Sequence, residues 1–171
     1  GGASWNSGGS YRNDGVDIEP CSDAITNGYN VGWTNAGEWM VYTIRVPEAG
    51  SFIASLRYAA QSATGRVRLA VDGTGVTGSV TLPPTGGWQT WKTQVLGSFV
   101  LEEGTHTLKL TAETEGFNLN YLDLTVGTGA GPLQPVDSPG FMVVYETSSC
   151  PLIIAAQKDV PFQIEWYDTA G

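Results

Sequence analysis

The feature that most constrains the fold of this chain is a repeated alternation of apolar and polar residues. In segment 38–47, Met40, Tyr42, Ile44 and Val46 fall on one face of an extended strand. No segment keeps apolar residues at helical spacing over three turns, whereas period-two alternation is typical of half-buried β-strands. The alternation continues in segments 51–59, 66–71, 94–101, 105–112 and 117–126.

Short turn signals separate these segments, and they include Asp-Gly at 72–73, Pro-Pro-Thr-Gly-Gly at 83–87 and Glu-Gly at 115–116. Short strands joined by frequent turns predict an all-β fold, an antiparallel β-sandwich of the jelly-roll type with two sheets. In segment 117–126 the inward face stays open, because it could carry either Leu119 or Asn120.

Charge and composition exclude several classes of function. The chain has 8 Lys+Arg and 17 Asp+Glu, a net charge of −9, which is a poor balance for a nucleic-acid-binding protein. Its apolar runs are too short to span a bilayer, and we identify no secretory signal peptide in the sequence. A Gly-rich chain with only 15% charged residues is typical of an extracellular all-β protein, and its 6 Trp exceed the needs of one core.

Signals for catalysis are weak. The single His106 lies in an alternating run, and the common nucleophile, phosphate-loop and zinc-protease motifs are missing from the sequence. Two carboxylates could form a glycosidase pair, so a hydrolase remains an alternative, but we expect no enzyme activity. Cys21 and Cys150 could form a disulfide or remain two buried thiols.

Aromatic residues at loop edges are a stronger signal. Trp88 follows the 83–87 turn, Tyr29 follows a Gly, and Asn118 follows the 115–116 turn. Exposed rings can stack on the apolar face of a sugar, and amide and carboxylate groups can bind its hydroxyls. The alternative is that Trp88 and Tyr29 only cap one end of the sandwich.

Five segments together resemble the family 6 carbohydrate-binding modules, in the order that the family has them. They are GVDIE at 15–19, GYNVGWTNAGEWMVY at 28–42, GGWQTW at 86–91, LEEGTHTLKL at 101–110 and GFNLNYLDL at 116–124. The resemblance covers about residues 10–126. It implies a non-catalytic module that binds the chain ends of β-glycans and is usually attached to a secreted polysaccharide-degrading enzyme.

We therefore expect an extracellular, monomeric, polysaccharide-binding module that targets an attached catalytic domain. No nucleic-acid or membrane partner is expected. The alternatives are a β-sandwich glycoside hydrolase or lyase, and a free-standing lectin.

The resemblance also implies roles for single residues. Tyr29 and Trp88 would sandwich a terminal sugar, while Asn118 and Glu19 would hydrogen-bond its hydroxyls. Trp39 would serve a second site on a concave sheet face. This second site is weakened by Val41, which stands where the family often has Glu. The remaining tryptophans of these motifs, Trp33 and Trp91, are interpreted as packing residues.

The predicted organisation is a carbohydrate-binding sandwich at 1–126, a linker or loop at 127–140, and tail strands at 141–171 that complete the sandwich. The first strand of the family is missing from the start of the chain, and 163–171 resembles it. We interpret this as a circular permutation; strand exchange with another module is the alternative. The resemblance also implies a structural calcium held by Glu165 and Asp123, with carbonyl oxygens completing the shell.

Overall fold

A computed structural model describes residues 17–24 and 28–127 of the chain. Every regular element in this part is a β-strand. The strands are β1 (Ile18–Pro20), β2 (Tyr29–Val31), β3 (Trp39–Val46), β4 (Gly50–Ala59), β5 (Gly65–Val71), β6 (Thr74–Gly75), β7 (Val80–Leu82), β8 (Lys92–Leu101), β9 (Gly104–Ala112) and β10 (Asn118–Val126).

The strands form two sheets, and all of their pairings are antiparallel. The first sheet has the order β1-β2-β10-β4-β8, and the second has the order β3-β9-β5-β6, with β7 also paired to β5. The predicted antiparallel β-sandwich is confirmed. Strands that are distant in sequence become neighbours: β2 lies between β1 and β10.

The core lies between the two sheets and follows the predicted alternation. On β3 the residues Tyr42, Ile44 and Val46 are buried, and on β4 the alternate residues from Phe52 to Tyr58 are buried. Burying one such side chain contributes about 1.5–3 kcal/mol, so this alternation fixes which face of each strand turns inward.

A β-bulge in β10 resolves the inward face that the sequence left open. Leu119 pairs with Tyr58 and Tyr121 pairs with Arg57, so Asn120 is the extra residue between them. A bulge reverses which alternate positions turn inward. Leu119 is therefore buried before the bulge and Leu122 and Leu124 are buried after it, and each sequence alternative holds for one half of the strand.

His106 lies near the beginning of β9, whereas the residues that follow the end of β9 belong to the site described below. Its Nδ1 lies 2.7 Å from Asp72 Oδ2, and its Nε2 lies 2.9 Å from the carbonyl oxygen of Glu102. The hydrogen bond with Asp72 raises the pKa of His106 above its usual value. The imidazole thus joins two turns at the far end of the sandwich.

Several predictions concern residues outside the described ranges. Glu165, Cys150, nearly all of the 127–140 linker and the 141–171 tail belong to them, so the circular permutation stays a prediction. Within residues 17–24 and 28–127, no helix is long and apolar enough to cross a membrane.

Candidate functional site

The site is built where the short strand β1 joins the first sheet. Glu19 of β1 pairs with Asn30 of β2, and Val31 of β2 pairs with Leu119 of β10. Neighbouring strands lie about 4.8 Å apart. The side chains of Glu19, Asn30 and Asn118 can therefore meet although they are distant in sequence.

Three amide groups converge on one oxygen of the Glu19 carboxylate. Oε1 of Glu19 accepts hydrogen bonds from Nδ2 of Asn118 at 2.8 Å, Nδ2 of Asn30 at 3.1 Å and Nε2 of Gln89 at 3.1 Å. An ionised carboxylate only accepts hydrogen bonds, so the three amide nitrogens must face it. The arrangement fixes the carboxylate in one orientation.

Asn118 is held on two sides. Its Nδ2 also donates to the carbonyl oxygen of Trp88 at 2.9 Å, so both amide hydrogens have acceptors, and the residue is buried. This bond ties the loop that carries Trp88 to the first residue of β10. The position of the Trp88 backbone therefore depends on the same network as the carboxylate of Glu19.

A cavity of about 260 Å³ opens over this network. Its polar side chains Glu19, Thr34 and Asn118 are called the polar floor below. Glu19 is the charged residue among those that line it in the described part of the chain. The lining residues are Glu19, Trp33, Thr34, Trp88, Gly116, Phe117 and Asn118.

Two indole rings line the cavity, and both are about half exposed. Trp88 is 45% exposed, as expected for an aromatic residue after a tight turn, and Trp33 is 48% exposed. The interpretation of Trp33 as a packing residue is therefore wrong. Trp33 has a left-handed backbone (φ 48°) at the beginning of the loop between β2 and β3, which removes it from the strand alternation that would bury it.

Gly32 gives the polar floor its room. A Cβ atom at this position would lie 3.4 Å from both Oδ1 of Asn118 and Oε1 of Glu19. Such contacts are at the edge of ordinary van der Waals distance, so a larger side chain would crowd the two groups. Gly32 therefore leaves space beside the polar floor, and the next residue, Trp33, supplies an exposed ring.

Tyr29 is not among the residues that line this cavity. It begins β2 opposite Pro20, and it is half-buried. Its role in stacking stays a prediction. Tyr29 and Trp33 lie four residues apart in one sequence motif, and of these two only Tyr29 was predicted to stack on a sugar.

Trp39 lies away from the cavity, on the outer face of the second sheet. It is 47% exposed, and the Lys109 ammonium lies 4.9 Å from the centre of its ring. A cation over an indole face is an attractive contact of about 0.5–1 kcal/mol at an exposed site. The second carbohydrate site at Trp39 stays a prediction.

Asp123 lies on β10, half-buried and paired with Ser55 on β4. Burial raises the pKa of this carboxyl above its usual value, and a hydrogen bond from the Leu124 backbone partly opposes the shift. Among the residues that the structure describes, no three His, Cys, Asp or Glu cluster as a metal site. The other predicted ligand, Glu165, lies outside the described residues, so the calcium site stays a prediction.

Besides Trp33 and Thr34, which line the cavity, sequence reasoning missed Gln89 and Asn30 of the hydrogen-bond network. Asn30 is a buried polar residue within a strand, and a buried amide needs hydrogen-bond partners. An Asn inside a strand could therefore have indicated a buried hydrogen-bond network at this position. Gln89 stands beside Trp88 in an otherwise loop-like segment, and its role depends on contacts with residues 59 and 70 positions away, which local pattern does not reveal.

Exposed indoles beside a small polar floor, at one end of a β-sandwich, define a class of sugar-binding sites. Comparison with known proteins agrees. Residues 9–126, more than half of the chain, match the family described as carbohydrate binding module (family 6). The chain therefore belongs to this family, whose members are non-catalytic binding modules.

Solved structures of the family are similar to this chain. One is a module of Cellvibrio mixtus lichenase 5A in complex with cellotriose, with 33% identity and a TM-score of 0.56 over 63% of this chain and 84% of that chain. Another is a β-1,3-glucan-binding module from Bacillus halodurans, with 31% identity and a TM-score of 0.53 over 63% of this chain and 84% of that chain.

Among curated proteins, the clotting factor G alpha subunit of Tachypleus tridentatus is 33% identical over 112 residues. The match covers 64% of this chain but 16% of that protein. This chain thus corresponds to a small part of the relative that it matches.

Proposed function

We propose that the cavity binds the end of a neutral β-glucan chain. The observation that carries the proposal is that two half-exposed indoles, Trp33 and Trp88, line one cavity with the polar floor. A sugar ring has apolar C–H faces and a rim of hydroxyls. It can therefore cover an indole while its hydroxyls reach Glu19 and Asn118.

The volume and the relatives support this ligand class. A cavity of about 260 Å³ is near the lower end of small-molecule sites, which suits the end of a glycan. The similar modules are described with cellotriose and with β-1,3-glucan. We therefore place β-1,3- and β-1,4-glucans first among the candidate ligands.

We further propose that the module acts outside the cell, as a monomer, and holds an attached enzyme on its polysaccharide. The chain itself supplies binding and no bond cleavage. A free-standing lectin is the alternative, and the presence of a catalytic domain in the full-length protein distinguishes the two.

Affinity electrophoresis on gels containing laminarin, barley β-glucan, xylan or agarose tests the proposed function. We expect slower migration on at least one β-glucan gel and no release of reducing sugar from any of the four. Unchanged migration on both glucan gels would contradict the proposed ligand class, and released sugar would favour the hydrolase.

The predicted calcium is kept as a proposal. Asp123 and Glu165 would hold the ion, and it would offset the cost of ionising the partly buried Asp123 carboxylate. At pH 7 we expect EDTA to lower the Tm by several degrees and added calcium to restore it. Asp123→Asn should melt at one temperature with or without the metal. An equal response of the parent and the variant to EDTA would remove Asp123 from the site.

A further inference from the structure

We propose that Gln89 is a positioning residue that decides which groups the polar floor offers to a sugar. The inference rests on the proposed function of the cavity. Gln89 does not line the cavity itself. It acts on the ligand through Glu19, whose carboxylate it helps to hold.

All polar groups of the Gln89 side chain are engaged. Its Nε2 donates to Oε1 of Glu19 at 3.1 Å and to Oδ1 of Asn30 at 3.0 Å, and its Oε1 accepts the Ser22 N–H at 2.9 Å. These three partners come from β1, β2 and the turn after β1. A single side chain therefore holds the edge of the first sheet against the Trp88 loop.

As a consequence, the two oxygens of the Glu19 carboxylate have different roles. Oε1 receives three amide hydrogens, from Asn30, Gln89 and Asn118. Neither Oε2 of Glu19 nor Oδ1 of Asn118 accepts a hydrogen bond from these three amide groups. The two oxygens are the acceptors that the network leaves to a ligand.

The polar floor therefore presents hydrogen-bond acceptors to a ligand, whereas its own donors are already bonded to protein oxygens. Both Nδ2 hydrogens of Asn118 point to protein oxygens, and the Thr34 hydroxyl donates to the carbonyl oxygen of Phe117. A ligand must bring its own donors, and neighbouring sugar hydroxyls do so. A carboxylate or sulfate at the same place would face the charge of Glu19 without a donor from the polar floor. We infer that the polar floor selects neutral sugars.

The substitution Gln89→Glu tests the inference because it keeps the size of the side chain and replaces its amide donor by a carboxylate. The new carboxylate would face Oε1 of Glu19 and Oδ1 of Asn30, so like charges would meet at pH 7. We expect the affinity for cellotriose and laminaritriose, measured by calorimetry, to fall about 10- to 100-fold relative to the parent.

The pH profile separates positioning from general damage to the fold. As the pH falls toward about 4.5, the carboxyl group introduced at position 89 can take up a proton, and its hydroxyl then restores a donor toward Oε1 of Glu19. The ratio of parent to variant affinity should then shrink at least about threefold. A structural defect unrelated to the new charge would leave that ratio constant.

Gln94→Glu is the matched control, because it makes the same change of charge on β8. Gln94 donates to the carbonyl oxygen of its neighbour Val95. This variant should bind like the parent at every pH.

A glucan trisaccharide oxidised to a uronic acid at its non-reducing end should bind the parent at least about tenfold more weakly than the neutral trisaccharide.

The outcomes distinguish the two proposals. If the parent binds neither neutral trisaccharide, the proposed function fails, and this inference fails with it. If the parent binds them and Gln89→Glu binds equally well, or loses affinity by a factor that does not change with pH, the inference alone is overturned. Equal binding of the acidic and the neutral trisaccharide would overturn the acceptor-only floor.

Discussion

Trp88→Ala should lower the affinity for the bound β-glucan oligosaccharide at least about 100-fold while leaving the Tm nearly unchanged. The ring is 45% exposed, so its removal costs the fold little buried area, whereas a bound sugar would cover the exposed face. Central aromatic residues of a binding site contribute about 2–4 kcal/mol or more, and a 100-fold loss of affinity corresponds to about 2.7 kcal/mol within this range. Calorimetry with the oligosaccharide and thermal unfolding measure the two quantities.

The chain supplies controls that are closely matched in exposure. Trp33→Ala should weaken binding to a similar degree, because Trp33 is 48% exposed and lines the same cavity. Trp39→Ala removes an indole that is 47% exposed on the outer face of the second sheet, and it should leave this affinity unchanged. Tyr29→Ala compares the tyrosine of the same motif. A larger loss from Tyr29→Ala than from Trp33→Ala would return the stacking role to Tyr29.

Gly65→Ala should destabilise the fold by about 1–3 kcal/mol, an overpacking effect. A Cβ atom at Gly65 would lie 2.5 Å from Cδ1 of the Phe117 ring, closer than real Cβ contacts. Phe117 is fully buried, so a shift of its ring would disturb the core residues that pack around it. Differential scanning calorimetry should show a Tm lower by roughly 5 °C or more.

The same variant should weaken glucan binding, because Phe117 also lines the cavity. Gly78→Ala is the matched control: a Cβ atom there has nothing within 4 Å, and this variant should melt like the parent. Equal Tm values for the two variants would mean that the Phe117 ring yields easily. The cavity wall at Phe117 would then be more mobile than its packing indicates.

The sequence was sufficient for the sandwich because the alternation in β3, β4 and β5 is a local consequence of one buried face. It was also sufficient to select Glu19, Trp88 and Asn118, which the structure brings to one cavity. It led to the interpretation of Trp33 as a packing residue, because the exposure of this ring depends on a left-handed backbone at the beginning of the β2–β3 loop, which the alternation does not reveal.

The hydrogen-bond network around Glu19 could not be predicted from the local sequence pattern. Oε1 of Glu19 meets amides 11, 70 and 99 residues away, and only the strand order places them together. The bulge at Asn120 was equally hidden, since both faces of that segment carried a plausible apolar residue. Long-range register decides such details, whereas alternation decides only the strands.

The convergence of distant residues on Glu19 has a consequence for folding. No contiguous piece of the chain carries the binding site, so a sugar has nothing to recognise in the unfolded chain. A ligand that binds only the folded state adds about 2.7 kcal/mol of stability at a concentration 100 times its Kd. The polysaccharide would therefore protect the module from unfolding and proteolysis wherever the module is bound to it. Bound and unbound molecules would consequently have different lifetimes.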